Sequence, residues 1–264
     1  MIPYLFAIGP VAFNLYGFFI AVGILVFLWA MEHDPRTKNY ITKDQLTRLV
    51  LYGIACGVLG GRLFYYCTYP EEFKAWYELF ALWEPGYSFL GSVIALVIFV
   101  PAYLRFYRIS WLPVIDIVGV YAPLLQAFGR IGCFCAGCCH GYPTHVSWAV
   151  TYTHPDSYAI IGVPCHPTQL YSSLSLLILF LLLRFVIQRF TVKPGQLFAI
   201  YLMGAAIERF FNDFWRAEHF DSARLIYNTI SIDQAAALGV LCVGLIFLCW
   251  TSWRTQKPSH IDHA

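Results

Sequence analysis

A chain of 264 residues that is 59% hydrophobic, 18% aromatic and 12% charged carries about half the charge of an average soluble domain. With a mean hydropathy of +0.62, that composition excludes a disordered chain and argues against a soluble α/β enzyme. The net charge of +2, spread over dispersed basic residues, gives no electrostatic footprint for nucleic acid.

Apolar stretches recur at roughly 12–31, 46–66, 87–104, 112–128, 169–187, 196–212 and 232–250. Each is long enough, as a helix, to cross about 30 Å of hydrocarbon. They predict an all-α fold: a polytopic membrane helix bundle of seven transmembrane helices. It is read as one domain over residues 1–264, without internal repeats. Residues Met1 to Pro10 lack a basic region and a small-residue cleavage site, so the first stretch is expected to stay as a span.

Orientation follows from the basic residues. An outside N-terminus puts eleven of the 17 Lys and Arg on the cytoplasmic side and five outside: Lys74, Arg130, Arg209, Arg216 and Arg224. Arg62 falls within the second stretch. That bias predicts N-terminus out and C-terminus in. Extracytoplasmic loops are then expected at about 67–86, 129–168 and 213–231. The last two hold five of the nine cysteines and His140, His145, His154, His166 and His219, so a site is expected at the outer leaflet. Cys56, Cys67, Cys242 and Cys249 lie in or beside apolar stretches and read as packing residues.

The densest polar motif follows the fourth stretch: Gly129-Arg130-Ile131-Gly132-Cys133-Phe134-Cys135-Ala136-Gly137-Cys138-Cys139-His140-Gly141. Its glycines predict an irregular buried loop rather than helix. Such backbone at membrane depth implies a cavity. Arg130 needs an anion there, and a phosphate headgroup is the anion a membrane supplies. A carboxylate partner or snorkelling to headgroups is the plainer alternative.

A second polar insertion, Glu208 to Arg216, ends the sixth stretch. Arg209 and Asp213 are four apart on one helix face, which fits either an intrahelical salt bridge or half of a phosphate clamp. Pro167 opens the fifth stretch, where His166 and Tyr171 offer hydrogen bonds to a glycerol or ester group, or simply anchor the helix at the interface. Tyr16 within the first stretch needs a partner for its hydroxyl. Arg62, after Gly60 and Gly61, is expected to pair internally.

Taken in order, these motifs resemble the prolipoprotein diacylglyceryl transferase family. The matching residues are Tyr16-Gly17, Gly60-Gly61-Arg62-Leu63, Ser88-Phe89 with Gly91, Asp116, and Gly129-Arg130-Ile131-Gly132 with Phe134, Gly137 and Gly141. His166 to Tyr171, Arg209 to Arg216 and Ser231 to Gln234 complete the set. The resemblance implies transfer of the diacylglyceryl group of phosphatidylglycerol to the thiol of a lipobox cysteine in a prolipoprotein. A thioether forms and glycerol 1-phosphate leaves. The expected location is the bacterial inner membrane, with no cofactor and no metal assigned. Arg130 and Arg209 match the family's essential arginines, and Arg130 its headgroup-binding one. Tyr16, Gly141, Asp213, His166 and Tyr171 are the expected substrate-binding residues.

The resemblance also has departures. Cys133, Ala136 and Cys138 stand where the family usually has Asn, Asn and Glu, and Leu90 where a histidine is assigned as thiol base. His140, His145 and His166 are then the candidate replacements. The cysteines Cys133, Cys135, Cys138 and Cys139 support two other readings. One is a membrane thiol–disulfide oxidoreductase using the Cys135–Cys138 C-x-x-C pair. The other is a metal-binding protein using the Cys133–Cys139 cluster. A structural disulfide from Cys138 or Cys139 to Cys165 fits the transferase reading too.

Overall fold

The computed structural model describes residues 4–8, 11–73, 76–81, 86–191, 193–217, 225–226 and 230–254. Each predicted apolar stretch coincides with a helix: α1 (Leu15–His33), α2 (Lys43–Thr68), α3 (Phe89–Phe106), α4 (Trp111–Ala136), α5 (Thr168–Leu181), α6 (Gln196–Asp213) and α7 (Ile232–Trp253). The fifth runs on through a π turn, Leu182–Val186, and a 3-10 turn, Ile187–Arg189. Three short antiparallel hairpins accompany the helices: β1 (Tyr4–Ile8) with β2 (Val11–Asn14), β3 (Val150–Thr151) with β4 (Pro164–Cys165), and β5 (Leu225–Ile226) with β6 (Ile230–Ser231).

Five helical segments are long and apolar enough to cross a membrane: α1, α2, α4, α5 with its extension, and α7. The protein is therefore a helical membrane protein. α3 contains a shorter apolar helix, Leu90–Phe106. α6 has 18 residues, but Glu208, Arg209 and Asp213 interrupt its apolar character near the end.

Two expectations change. Residues Val11–Asn14 pair with β1 as a strand instead of opening the first helix. The glycine-rich run from Gly129 is not a loop at its start, because α4 continues through Ala136. Gly129 and Gly132 are contact residues. A Cβ on Gly132 would lie 3.1 Å from the Tyr16 carbonyl oxygen and 3.2 Å from its Cα. Small residues let two membrane helices approach, and in that setting they do not break the helix. The chain leaves helical geometry only at Gly137, where φ is +80°.

The chain forms two compact units, Met1–Met31 with Ile115–Ala264, and Glu32–Val114. In the smaller unit α2 and α3 meet through glycines. A Cβ on Gly60 would lie 2.3 Å from Ala95 Cβ, and one on Gly91 2.3 Å from Phe64 Cβ. Thr42 and Gln45 form a capping box at the start of α2, and Ser88 caps α3.

Arg62, 1% exposed, pairs internally as expected. Its Nη1 donates to the Gly86 carbonyl at 3.0 Å and its Nη2 to that of Glu78 at 3.0 Å. The guanidinium also lies over the Phe73 ring at 4.8 Å. Arg62→Ala removes both donors and the ring contact. Buried acceptors left without donors cost about 1–3 kcal/mol each. The variant should lose about 2–4 kcal/mol of stability, read as a lower thermal midpoint in detergent, and Arg62→Lys should recover little because an ammonium lacks the planar fork. An unchanged midpoint would contradict this role.

In the larger unit α4 packs on α6 at Gly119, α6 on α5 at Gly204, and α7 on α6 at Gly244. Asp116 of α4 caps α6 across the helix pair. Its Oδ2 accepts from the Gly195 N–H at 2.6 Å and its Oδ1 from the Phe198 N–H at 2.8 Å. A buried carboxylate is tolerated there because the helix N-terminus presents unpaired N–H groups and a positive dipole end.

Candidate active site

The site is built around the turn that follows α4. Gly137 at φ +80° and Cys139 at φ +57° reverse the chain. The Gly137 N–H closes the helix on the Cys133 carbonyl at 2.9 Å. A side chain at Gly137 would strike Ser157 Oγ at 2.1 Å. The first residues of α5 hold the turn from outside: Thr168 Oγ1 donates to the Cys139 carbonyl at 2.8 Å, and Gln169 Nε2 to that of Cys138 at 2.8 Å. Beneath it Tyr152, Ala159 and Cys165 form a small buried core. Burial pushes the Tyr152 phenol and the Cys165 thiol up from their ordinary pKa values.

This turn gathers three thiols. The Sγ atoms of Cys133, Cys138 and Cys139 all lie within 4.8 Å of one another. Cys135 is not in that group. The C-x-x-C pair expected from spacing is therefore not the pair the fold brings together. Cys135 belongs to the last helical turn, while the reversal at Gly137 returns Cys138 and Cys139 to Cys133. Cys165 donates to the Val150 carbonyl at 3.4 Å. All nine cysteines are free thiols.

The arginines converge beside the thiols. Arg130 and Arg216 are both close enough for their charges to act on Arg209, and Glu208 lies within reach of all three. Arg130 also acts on Cys133, Cys139 and Tyr16. Among the described residues no carboxylate or other acceptor pairs with Arg130. Arg209 Nη2 meets Asp233 Oδ2 at 3.2 Å, while its Nη1 is buried without a partner.

Of the two readings of Arg209 and Asp213, the intrahelical salt bridge is not formed. Asp213, 1% exposed, pairs instead with Arg216 at 3.6 Å and accepts from the Ser231 hydroxyl. α6 ends at Asp213, so the next turn carries Arg216 back onto it, whereas Arg209 faces α7. Asp213 is thus buried against Arg216. Asp233 meets both Arg209 and Arg216, the latter at 3.3 Å. Neither Arg216 nor Asp233 stood among the expected site residues. Their signals were the two-turn spacing from Arg209 to Arg216 and the acidic first turn after the Ser231–Gln234 capping box.

His166, buried, meets the Tyr171 hydroxyl at 3.1 Å, and Tyr171 accepts from Trp148 Nε1 at 2.7 Å. Burial lowers the pKa of His166. His140 Nδ1 donates to the Gly137 carbonyl at 3.2 Å. Gly141 is enclosed by His166 and the Trp215 carbonyl. A cavity of about 320 Å³ opens between α5 and α6, lined by Tyr171, Ser175, Gly204, Glu208, Asn212 and Trp215 among others. Tyr16, at the start of α1, stands over Gly132 beside the thiols. His219, Lys74 and Arg224 lie outside the described residues, as does most of 218–229.

Comparison with known proteins finds similarity to one family. The family model described as prolipoprotein diacylglyceryl transferase matches residues 3–250. The phosphatidylglycerol–prolipoprotein diacylglyceryl transferase of Nitrosomonas europaea is 30% identical, over 97% of this chain and 92% of its own length. That of Legionella pneumophila (strain Paris) is 32% identical, over 94% and 96%. That of Clostridium tetani is 29% identical, over 97% and 100%. With a family match across nearly the whole chain, and with its arginines gathered around the turn that carries the glycine motif, the chain belongs to the prolipoprotein diacylglyceryl transferase family.

Proposed function

We propose that this chain transfers the diacylglyceryl group of phosphatidylglycerol to the lipobox cysteine thiol of a prolipoprotein. It does so as one transferase domain over 1–264, in the bacterial inner membrane. In this reading seven helices span the bilayer with the N-terminus outside and the C-terminus inside, and the site opens to the extracytoplasmic side. The positive-inside bias and the family membership support that arrangement.

The observation that carries the mechanism is the unpaired cation. Arg130 has no acceptor among the described residues, and Arg209 keeps a buried Nη1 without one. An unsatisfied guanidinium at membrane depth is costly, and a phosphodiester oxygen relieves it with charge-assisted hydrogen bonds. As the carbon–oxygen bond breaks, negative charge grows on the phosphate, and fixed guanidinium donors stabilise it without reorganisation. Asp233 and Asp213 hold Arg209 and Arg216 in place. The cavity beside Tyr171 and Glu208 is of a size for the glycerol and ester portion of the lipid.

Purified protein, labelled phosphatidylglycerol and a lipobox peptide test this reading. The expected result is lipid transfer to the cysteine peptide with release of glycerol phosphate, and no transfer to a serine-for-cysteine peptide. Folded protein that leaves the cysteine peptide unmodified would overturn it.

A further inference from the structure

The three clustered thiols have no part in the phosphate clamp, and no base is yet assigned to the acceptor thiol. An ordinary thiol with pKa near 8.5 is only about 3% thiolate at pH 7. Two of the candidate histidines each have one ring nitrogen engaged: His166 Nδ1 with the Tyr171 hydroxyl, and His140 Nδ1 with the Gly137 carbonyl. Meanwhile the Sγ atoms of Cys133, Cys138 and Cys139 lie within 4.8 Å of one another. Three sulfurs at about 2.3 Å from one zinc ion sit about 3.8 Å apart. Small side-chain rotations therefore close the observed cluster into one face of a tetrahedron. The turn that presents it is held by Thr168 and Gln169, and Cys139 adopts a left-handed conformation that non-glycine residues rarely take.

We infer that Cys133, Cys138 and Cys139 bind a zinc ion as three thiolates, and that the open fourth position takes the acceptor cysteine of the prolipoprotein; this rests on the transferase reading above. Coordination ionises the acceptor thiol and its proton passes to water. A lone pair of that sulfur then attacks the glycerol carbon that bears the phosphate ester. The carbon–sulfur bond forms, the carbon–oxygen bond breaks, and its electron pair leaves on the phosphate oxygen of glycerol 1-phosphate. Nothing is oxidised or reduced. Four thiolates on one dication leave a net charge of −2 on the complex, so the sulfurs stay electron-rich and nucleophilic. Arg130 and Arg216, both within electrostatic reach of Cys139, offset that charge. The thioether product is a neutral, weaker ligand, which frees the position for the next thiol.

The test uses the full chain, purified under reducing conditions in detergent, with Co²⁺ as the spectroscopic substitute for Zn²⁺. We expect one equivalent to bind with an intense thiolate-to-cobalt charge-transfer band. The triple variant Cys133→Ser, Cys138→Ser, Cys139→Ser should abolish the band, and Cys135→Ser should leave it unchanged. Adding the lipobox cysteine peptide should shift the cobalt bands, and the serine peptide should not. Removing the metal should slow transfer at pH 7 by up to about 30-fold, the ratio of full to 3% thiolate, with the loss shrinking above the free thiol pKa near 8.5. Several results would overturn the inference: no stoichiometric binding, binding that survives the triple variant, a disulfide among the three thiols in the protein as isolated from its membrane, or uptake of Cu⁺ or Co²⁺ with no response to the peptide. Transfer at full rate by metal-free protein at pH 7 would overturn it while leaving the transferase reading intact. A cobalt site that answers the peptide without any transfer from phosphatidylglycerol would instead overturn the donor reading.

Discussion

Arg130→Ala should lower diacylglyceryl transfer by about a thousandfold or more while leaving the protein folded. Removing one fixed donor from a developing oxyanion costs about 10²–10³ in rate, and Arg130 is a full charge rather than a dipole. Stability should change little, because no carboxylate among the described residues forms an ion pair with Arg130. The neighbouring cation Arg209 repels it, so its loss even relaxes local repulsion. Arg130→Lys keeps the charge but loses the planar pair of donors, and should recover only part of the rate. Transfer kinetics with labelled phosphatidylglycerol, beside a thermal midpoint in the same detergent, separate these effects. A folded Arg130→Ala protein with full activity would remove the clamp from the mechanism.

Gly141→Ala should be comparably damaging for a different reason. A Cβ there would lie 2.5 Å from His166 Cβ, 2.6 Å from the His166 carbonyl oxygen and 2.7 Å from that of Trp215. Two of the three obstacles are backbone, which cannot rotate aside. The same backbone forms a ladder: Gly141 N–H to His166 at 2.9 Å, Tyr142 N–H to Trp215 at 3.1 Å and Ala217 N–H to His140 at 3.1 Å. Separating it moves Arg216, which bridges to Gly141, and loosens the turn that carries the thiols. Overpacking of this kind costs about 1–3 kcal/mol, and broken ladder bonds add to it. The expected result is a lower thermal midpoint together with loss of transfer. Full stability and activity in Gly141→Ala would show that the strands part without consequence.

Gly141 also shows how the sequence and the fold divide the explanation. From the motif it reads as a residue of the binding site, a neighbour of the substrate. In the fold it is the point where two backbones touch. For Gly129 and Gly132 the fold corrects the motif. As a run of glycines they predict a loop, yet they lie in α4, where the missing side chains admit α1. Glycine composition carries no information on whether its freedom is used for a turn or for a close approach, since the partner backbone is distant in sequence.

The membrane class and the helix positions were determined by the sequence itself, because hydropathy and helical length are local properties that no tertiary contact needs to supply. So was the internal pairing of Arg62, which desolvation at mid-helix demands wherever the partners lie. The tertiary structure decided which charges meet. Asp213 lies four residues beyond Arg209 but turns to Arg216, and Asp233, distant in the chain, takes Arg209. It also chose the thiols: spacing favoured Cys135 with Cys138, whereas the reversal at Gly137 and Cys139 gathers Cys133, Cys138 and Cys139. The physical reason is the same in both cases. Side-chain chemistry acts over a few ångströms, and beyond the end of a helix only the path of the backbone determines which side chains come that close.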